Sequence, residues 1–463
     1  MSATLLLASD SLWELFTRAI SLRDYNTRVV LAGTTMLGIS GGLVGTFLVL
    51  RKRALAADVV SHAALPGIAA AFLLAERLVP DSGRSTTLLL CGAFSSGLLG
   101  MAMTLAIRRW TRIKEDAALA IVLGLFFGLG MALFTVVQRT KTGNAAGLSH
   151  FIFGKAASMV AADVWLIGVL SFVITLVCCG VFKELSLLCF DEEFAAAQGY
   201  RTVLLDWLLT LMAVAVTLIG LQSVGLLLVV ALLLIPPTAA RFWTNDLKIM
   251  SGLAAAIGGA SCAGGVVLSA GFPRLAAGAV IVLTGAGLFV VSLVFGKERG
   301  LWPRWQSLRQ FEDRIGRSDL LRACYELLEP ILGPDQTTQE SLTCYDIGDL
   351  DLLSMRQWPP GRFHRLVSKA VRESLLVANS TSRFRLTLRG AAEARDAVRR
   401  HRLWEIYLLT QTDLDPRLVD RGADGIEHVL DPQQLADLER QLVNQLPQGI
   451  PPSPHPIASA AIN

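Results

Sequence analysis

For its first 296 residues the chain alternates long apolar runs with short polar breaks, most of them basic, and after Lys297 that pattern stops. No acidic or basic side chain falls between Arg28 and Arg51 or between Arg84 and Arg108. From Leu204 to Phe295 the only ones are Asp206, Arg241, Asp246, Lys248 and Arg274. A bilayer core ~30 Å thick is crossed by roughly 20 apolar residues in a helix. The runs therefore predict spans near residues 28–50, 63–79, 86–107, 117–138, 160–182, 204–222, 223–240, 249–271 and 275–296. The two within 204–240 are so close that the total is eight or nine. Many runs are rich in Gly, Ala and Ser, which lets helices approach closely in lipid. Residues 1–27 hold an amphipathic stretch, Leu12–Ile20, predicted to lie at the membrane interface. It lacks the basic start and small-residue cleavage site of a signal peptide.

Composition supports this division. Of 463 residues 53% are hydrophobic and only 17% charged, with mean hydropathy +0.52, whereas soluble domains are about one quarter charged. The expected fold is an all-α polytopic membrane domain over 28–296, a basic connector over 297–317 and an α-rich soluble domain. Basic loops follow at Arg51–Arg53, Arg108–Lys114, Lys183–Arg201, Arg241–Lys248 and Lys297 onward, while Pro80–Ser82 and Gly271–Arg274 carry few positive charges. Positive charge marks the cytosolic side, which places the C-terminal domain in the cytosol of a multi-pass protein of the bacterial inner membrane. The loop with Arg139, Lys141 and Lys155 departs from that rule. The seven cysteines form no CxxC pair and read as packing residues.

Ionisable groups at membrane depth are costly and mark pathways. Asp58 and His62, in Ala57 to Gly67, are spaced i, i+4 and share a helical face. A carboxylate beside an imidazole is half of a site for Mn, Zn or Fe, and Pro66-Gly67 loosens the helix just beyond it. On residues alone, a capping Asp next to a structural His explains the pair equally well. His150, on the expected outer side, reads as an interfacial His or a point of metal arrival. No stretch fits GxxxxGK[ST], so if transport is driven by ATP its hydrolysis falls to a separate subunit. The segment Phe190-Asp191-Glu192-Glu193-Phe194-Ala195-Ala196-Ala197-Gln198-Gly199 is a short amphipathic helix with acids at its start and Gly at its end. It is either a docking element for that subunit or an ordinary loop.

Residues 28–296 resemble the manganese/zinc/iron-chelate ABC permease family. The resemblance lies in Gly41 to Arg51, Asp58 to Gly67, Phe190 to Gly199, Val224 to Leu228 and Ala231 to Ala240 with Pro236-Pro237. It implies a divalent metal as substrate, no cofactor for the permease, a homodimeric or paralogous permease pair, two ABC ATPase subunits and an extracytoplasmic metal-binding protein. It places Asp58 and His62 on the metal path. It makes Phe190, Asp191, Glu192, Ala196 and Gly199 part of the helix that couples to the ATPase.

In the soluble part a helix is predicted from an N-cap at Ser318, with a polar linker over Pro330–Asp349 and a second helix after Pro359-Pro360-Gly361. That helix bears Arg362, Arg365, Lys369 and Arg372, and a strand follows at Phe384–Leu388. This order suggests a degenerate winged helix over 318–390 whose helix-turn-helix is interrupted by the prolines. The basic side chains suit a phosphate backbone. A helical metal-binding and dimerisation part is expected over 391–445, and residues 446–463 are Pro-rich. His401 and Glu405 are i, i+4. Asp424, Glu427 and His428 are i, i+3, i+4, with Asp420 a turn earlier. Such faces are solvated acid or O/N metal ligands. Residues 318–445 resemble the diphtheria-toxin-repressor family, on Leu386 to Gly390, Arg400 to Glu405 and Ile426 to Leu430. The resemblance implies one regulatory metal site at Asp319, Asp424, Glu427 and His428, and another at His401, Glu405 and Asp420. Arg322 stands where manganese-type members can have an acid.

Three functions compete: a metal-importing permease with a feedback sensor, a membrane-anchored metal-dependent transcription regulator that binds DNA, and an ion-coupled secondary transporter. The coupling-helix motif disfavours the third, and the interrupted helix-turn-helix disfavours the second.

Overall fold

A computed structural model describes residues 24–53, 55–78, 86–139, 159–272, 275–333, 337–356, 358–380 and 382–411. The interfacial segment Leu12–Ile20, His150, and the ligand candidates Asp420, Asp424, Glu427 and His428 lie outside them, as does the Pro-rich tail. The chain forms two compact units, Met1–Arg304 and Trp305–Asn463.

The first unit is helical throughout its described residues: α1 (Tyr25–Leu50), α2 (Ala56–Leu78), α3 (Thr86–Trp110), α4 (Glu115–Arg139), α5 (Ala161–Gly180), α6 (Phe182–Phe190), α7 (Glu192–Ala197), α8 (Thr202–Val224), α9 (Leu226–Ala240), α10 (Leu247–Gly271) and α11 (Ala277–Phe295). Eight of these are long and apolar enough to cross a membrane. The ninth expected span is α9, whose 15 residues reach only ~22 Å at 1.5 Å per residue. It is set off from α8 by Gly225, whose φ of 90° is a conformation that side chains disfavour. The chain reverses there. A Cβ on Gly220 would lie 2.4 Å from Val229 Cγ2, a residue nine positions on that a continuous helix would carry ~13 Å away. Helices α8 and α9 together thus go out and return between two basic loops, which keeps Lys183–Arg201 and Arg241–Lys248 on one side.

Helix α1 packs against α10, α9 and α5, and α2 against α3 and α4. At the α2–α3 crossing a Cβ on Gly67 would stand 2.1 Å from Gly92 O, so the two backbones meet without side chains between them. Large apolar side chains such as Leu99, Leu125, Phe172 and Leu283 are exposed on α3, α4, α5 and α11, as a lipid-facing belt requires. The buried core runs from Leu37 and Phe47 on α1 through Val60 and Ile68 on α2 to Leu209 and Leu233.

The second unit holds α12 (Leu301–Leu332), α13 (Gln339–Leu342), β1 (Ile347–Gly348), α14 (Asp349–Met355), α15 (Pro360–Arg372), β2 (Leu376–Ser380), β3 (Arg383–Leu386) and α16 (Leu388–Gln411); the boundary between the units falls within α12. The three strands form an antiparallel sheet in the order β1-β3-β2, pairing Ile347 with Phe384 and Leu376 with Leu386. After α12, α13 and β1 come the two helices α14 and α15 and then the β2–β3 hairpin. Phe363, Leu366, Phe384, Leu386, Cys324 and Leu328 fill the core.

Two expectations are corrected. Pro359-Pro360-Gly361 does not interrupt the helix-turn-helix; it opens α15, with Pro360 in the first turn. There no intrahelical N–H bond is needed and the proline φ suits the helix. Ser318 is not an N-cap, because α12 starts seventeen residues earlier at Leu301. The upstream segment is rich in helix-forming Arg, Gln, Glu and Leu. Arg309 lies over the Trp305 ring one turn away, at 3.4 Å from its centroid, so nothing stops the helix before Ser318. Its last turn takes in Pro330, shortening the polar linker expected there.

Candidate functional site

Helix α2 opens at Ala56, and Asp58 lies in its first turn, where the helix dipole favours a carboxylate. One turn on, His62 Nε2 lies 3.4 Å from Asp58 Oδ1. The imidazole is fixed from the side by the edge-on ring of Phe127, centroids 5.1 Å apart. Its Nδ1 is buried and has no hydrogen-bond partner among the described residues, a cost a structural histidine would normally avoid. The structure therefore brings the two expected donors together on one face. Two donors do not fill a metal shell, and among the described residues no three of His, Cys, Asp and Glu converge.

Between α2 and the basic loops lies a feature that pattern reading missed: a closed ring of three arginines and three acids. The Arg53 guanidinium, 1% exposed, donates to both oxygens of Asp206 at 2.9 and 2.7 Å and to Glu115. Arg51 donates to Asp206 at 3.1 Å, to Glu192 at 3.0 Å and to the Leu188 carbonyl at 3.1 Å. Arg108 closes the circuit, 3.6 Å from Glu115 and 3.9 Å from Glu192. Each acid spans two arginines and each arginine two acids. The ring thus ties the α1–α2 loop to the ends of α3, α4 and α8 and to α7. Its signal in the sequence was charge abutting the apolar spans. Glu115, and not its neighbour Asp116, makes the contacts.

Helix α7 is the expected coupling segment. Asp191 caps it, accepting from Phe194 N at 2.8 Å. At its other end Gly199 takes φ 86°, with Gly199 N on Ala196 O and Tyr200 N on Ala195 O, a Schellman stop. Ala195 faces inward. Glu192, Glu193 and Ala196 are exposed, and Phe190 and Phe194 are 69% and 50% exposed. Two large apolar rings set among three acids suit a protein surface better than lipid.

In the second unit Arg362, Arg365 and Arg372 are exposed on α15, with Lys369 partly so. Lys369 donates to Asp313 at 2.7 Å, and Arg365 donates to the Gly361 carbonyl of its own helix. Glu312 and Asp313 of α12 line the same groove as Arg309, Arg362, Arg365, Lys369 and Arg372 and offset part of its positive charge. Asp319, the expected first-site ligand, is 3.0 Å from Arg356. His401 and Glu405, both 1% exposed, are together with Nε2 3.4 Å from Oε1. A guanidinium is there as well: Arg322 Nη1 donates to His401 Nδ1. Arg322 Nε is 3.3 Å from Glu326, and beside it Arg402 donates to Glu329 at 2.9 Å. A divalent ion does not fit the His401–Glu405 pair in this arrangement, because the imidazole lone pair is already engaged by a cation.

Residues 23–296 match the ABC 3 transport family. The chain belongs to that family. Residues 387–446 match the iron dependent repressor, metal binding and dimerisation domain. A relative from Treponema pallidum, the zinc transport system membrane protein TroC, is 45% identical over 287 residues, covering 62% of this chain and 94% of its own. The manganese transport system membrane protein MntC of Bacillus subtilis is 33% identical over 405 residues, 88% of each chain. Those 405 residues exceed the 304 of the first unit, so the likeness extends into the second. The solved structure of PsaBC from Streptococcus pneumoniae in complex with Fab matches with TM-score 0.53 and 30% identity, covering 64% of this chain and 98% of that one. The ABC 3 chain is a multi-pass membrane protein with a metal-regulator domain fused behind its transport unit.

Proposed function

We propose that the chain is the permease of an ATP-driven importer for a divalent transition metal, and that two copies complete its metal path. The observation that carries this is the Asp58–His62 pair on one face of α2. Its 3.4 Å separation is about the donor–donor edge of a tetrahedral ion with bonds of ~2.1 Å. A second α2 across a two-fold axis would bring the donors to two carboxylates and two imidazoles, a shell suited to Mn or Zn. The manganese and zinc transport named for the relatives supports that cargo. A separate ATPase seats on Phe190 and Phe194, and an extracytoplasmic metal-binding protein delivers the ion. The ring carries the movement of α7 through Glu192 and Arg51 to Arg53, five residues before Asp58, and so to the start of α2. The second unit lies in the cytosol and lowers import when internal metal is high, a coupling that needs only unequal metal affinity for two states.

The test is uptake of radioactive Mn(II) and Zn(II) by cells making the chain with its ATPase. Asp58→Asn and His62→Gln each reduce uptake to background while the protein still inserts. Native uptake by both variants removes the pair from the path.

The order of two helices and a hairpin, that of a winged helix, supports a second reading, DNA binding through Arg362, Arg365, Lys369 and Arg372. The acids of α12 in the same groove weigh against it.

A further inference from the structure

The interface of α12 and α16 buries an unusual amount of charge. Arg322 and Arg402 are 2% and 3% exposed, and His401 and Glu405 are 1% exposed. Buried ionised groups are costly unless paired and hydrogen-bonded, and here the guanidiniums of Arg402 and Arg322 are set against Glu329 and Glu326. A guanidinium is always protonated and has no acceptor. Its bond to His401 Nδ1 therefore makes that nitrogen the acceptor, and the imidazole proton goes to Nε2, the nitrogen facing Glu405 at 3.4 Å. A metal-binding imidazole must give the ion a lone pair. In His401 the free lone pair is spent on Arg322, and the other nitrogen carries a proton. The same guanidinium also stands 3.3 Å from the Glu326 carboxylate, supplying positive charge where acids gather.

We propose that Arg322 is a built-in cation that takes the place of a regulatory ion at the His401–Glu405 pair, so that this pair binds no metal and instead ties α16 to α12. The metal response of the second unit then rests on other donors. The proposal goes beyond the transport reading and does not depend on it.

The test counts ions bound to the purified full-length chain in detergent, by equilibrium dialysis against Mn(II) and, separately, Zn(II), followed by elemental analysis. The path residues are the same in every sample, so differences report only the second unit. His401→Gln keeps an acceptor for Arg322 while removing the imidazole, and it binds as many ions per chain as the native protein. A loss of one ion per chain in His401→Gln overturns the proposal. In Arg322→Ala the lone pair is released, and the count rises by about one per chain. The rise vanishes in Arg322→Ala/His401→Gln. A folded Arg322→Ala chain, monodisperse on size exclusion, that binds no more than the native protein also overturns it. If Arg322→Ala does not fold, the His401→Gln count alone decides.

Discussion

Arg53 and Asp206, 153 positions apart, meet through two parallel hydrogen bonds of 2.9 and 2.7 Å at the end of the membrane unit where the basic loops gather. The planar guanidinium fork matches the two carboxylate oxygens, a geometry that lysine cannot reproduce. Arg53 is almost fully buried, and the Asp206 side chain is partly buried, at 13% exposed. Removing one member of a buried pair so that the other is left unpaired costs about 3–5 kcal/mol, a ceiling here because each acid keeps a second arginine. Arg53→Ala, which leaves Asp206 with Arg51 alone and Glu115 with Arg108 alone, should lower the melting temperature of the detergent-purified protein and its yield in membranes. Arg53→Lys should recover only part of the loss. Melting of Arg53→Ala at the native temperature would show that the ring does not hold these helices together.

Glu192 occupies the other side of the ring and separates stability from coupling. Its side chain is nearly half exposed, and exposed ion pairs are worth ~0–1 kcal/mol. Glu192→Gln should therefore leave folding and insertion unchanged. If α7 drives the start of α2 through Arg51, the same change should reduce metal uptake several-fold while ATP hydrolysis by the assembled complex continues. Uptake and hydrolysis falling in the same proportion would instead point to weaker assembly.

What was readable beforehand follows the range of each interaction. Span positions, Asp58 with His62 and the Asp191 cap are properties of a few consecutive residues, so period and spacing revealed them. The ring joins residues from five separate places, and no local pattern connects Arg53 with Asp206. Arg322 could be named as out of place, but not that its guanidinium holds His401. Pro359-Pro360 misled for a different reason. Proline breaks a helix interior but suits a first turn, and which applies depends on where Leu352, Phe363 and Leu366 pack. The boundary of α8 and α9 turned on one backbone angle at Gly225, which composition does not encode.

Phe190 at the end of α6 and Phe194 on α7 stand out from the surface and contribute little to the fold of the isolated chain. Surface substitutions of this kind stay within about ±0.5 kcal/mol, whereas aromatic anchors dominate interfaces when covered. Phe194→Ala and Phe190→Ala/Phe194→Ala should insert and melt like the native protein, yet co-purify with less ATPase, the double variant by tenfold or more. That figure is about 1.4 kcal/mol of binding. Undiminished co-purification of the double variant would remove α7 from the docking surface.

The cysteines give an independent check on the second unit. Burial pushes the Cys324 thiol up to about 12, and the side chain lies in the core of the second unit, while Cys344 is exposed. The thiolate is the nucleophile, so at pH 8 a thiol with that pKa is ionised to only ~10⁻⁴, and raising the pH to 9 gains only a factor of about ten. Brief iodoacetamide treatment at pH 8 should therefore alkylate Cys344 and spare Cys324, as read from peptides by mass spectrometry. Urea sufficient to unfold the unit should make both react. Equal labelling of Cys324 and Cys344 in the folded protein would mean that α12 is not packed into that core, and the Arg322–His401 contact, which depends on the same helix, would lose its support.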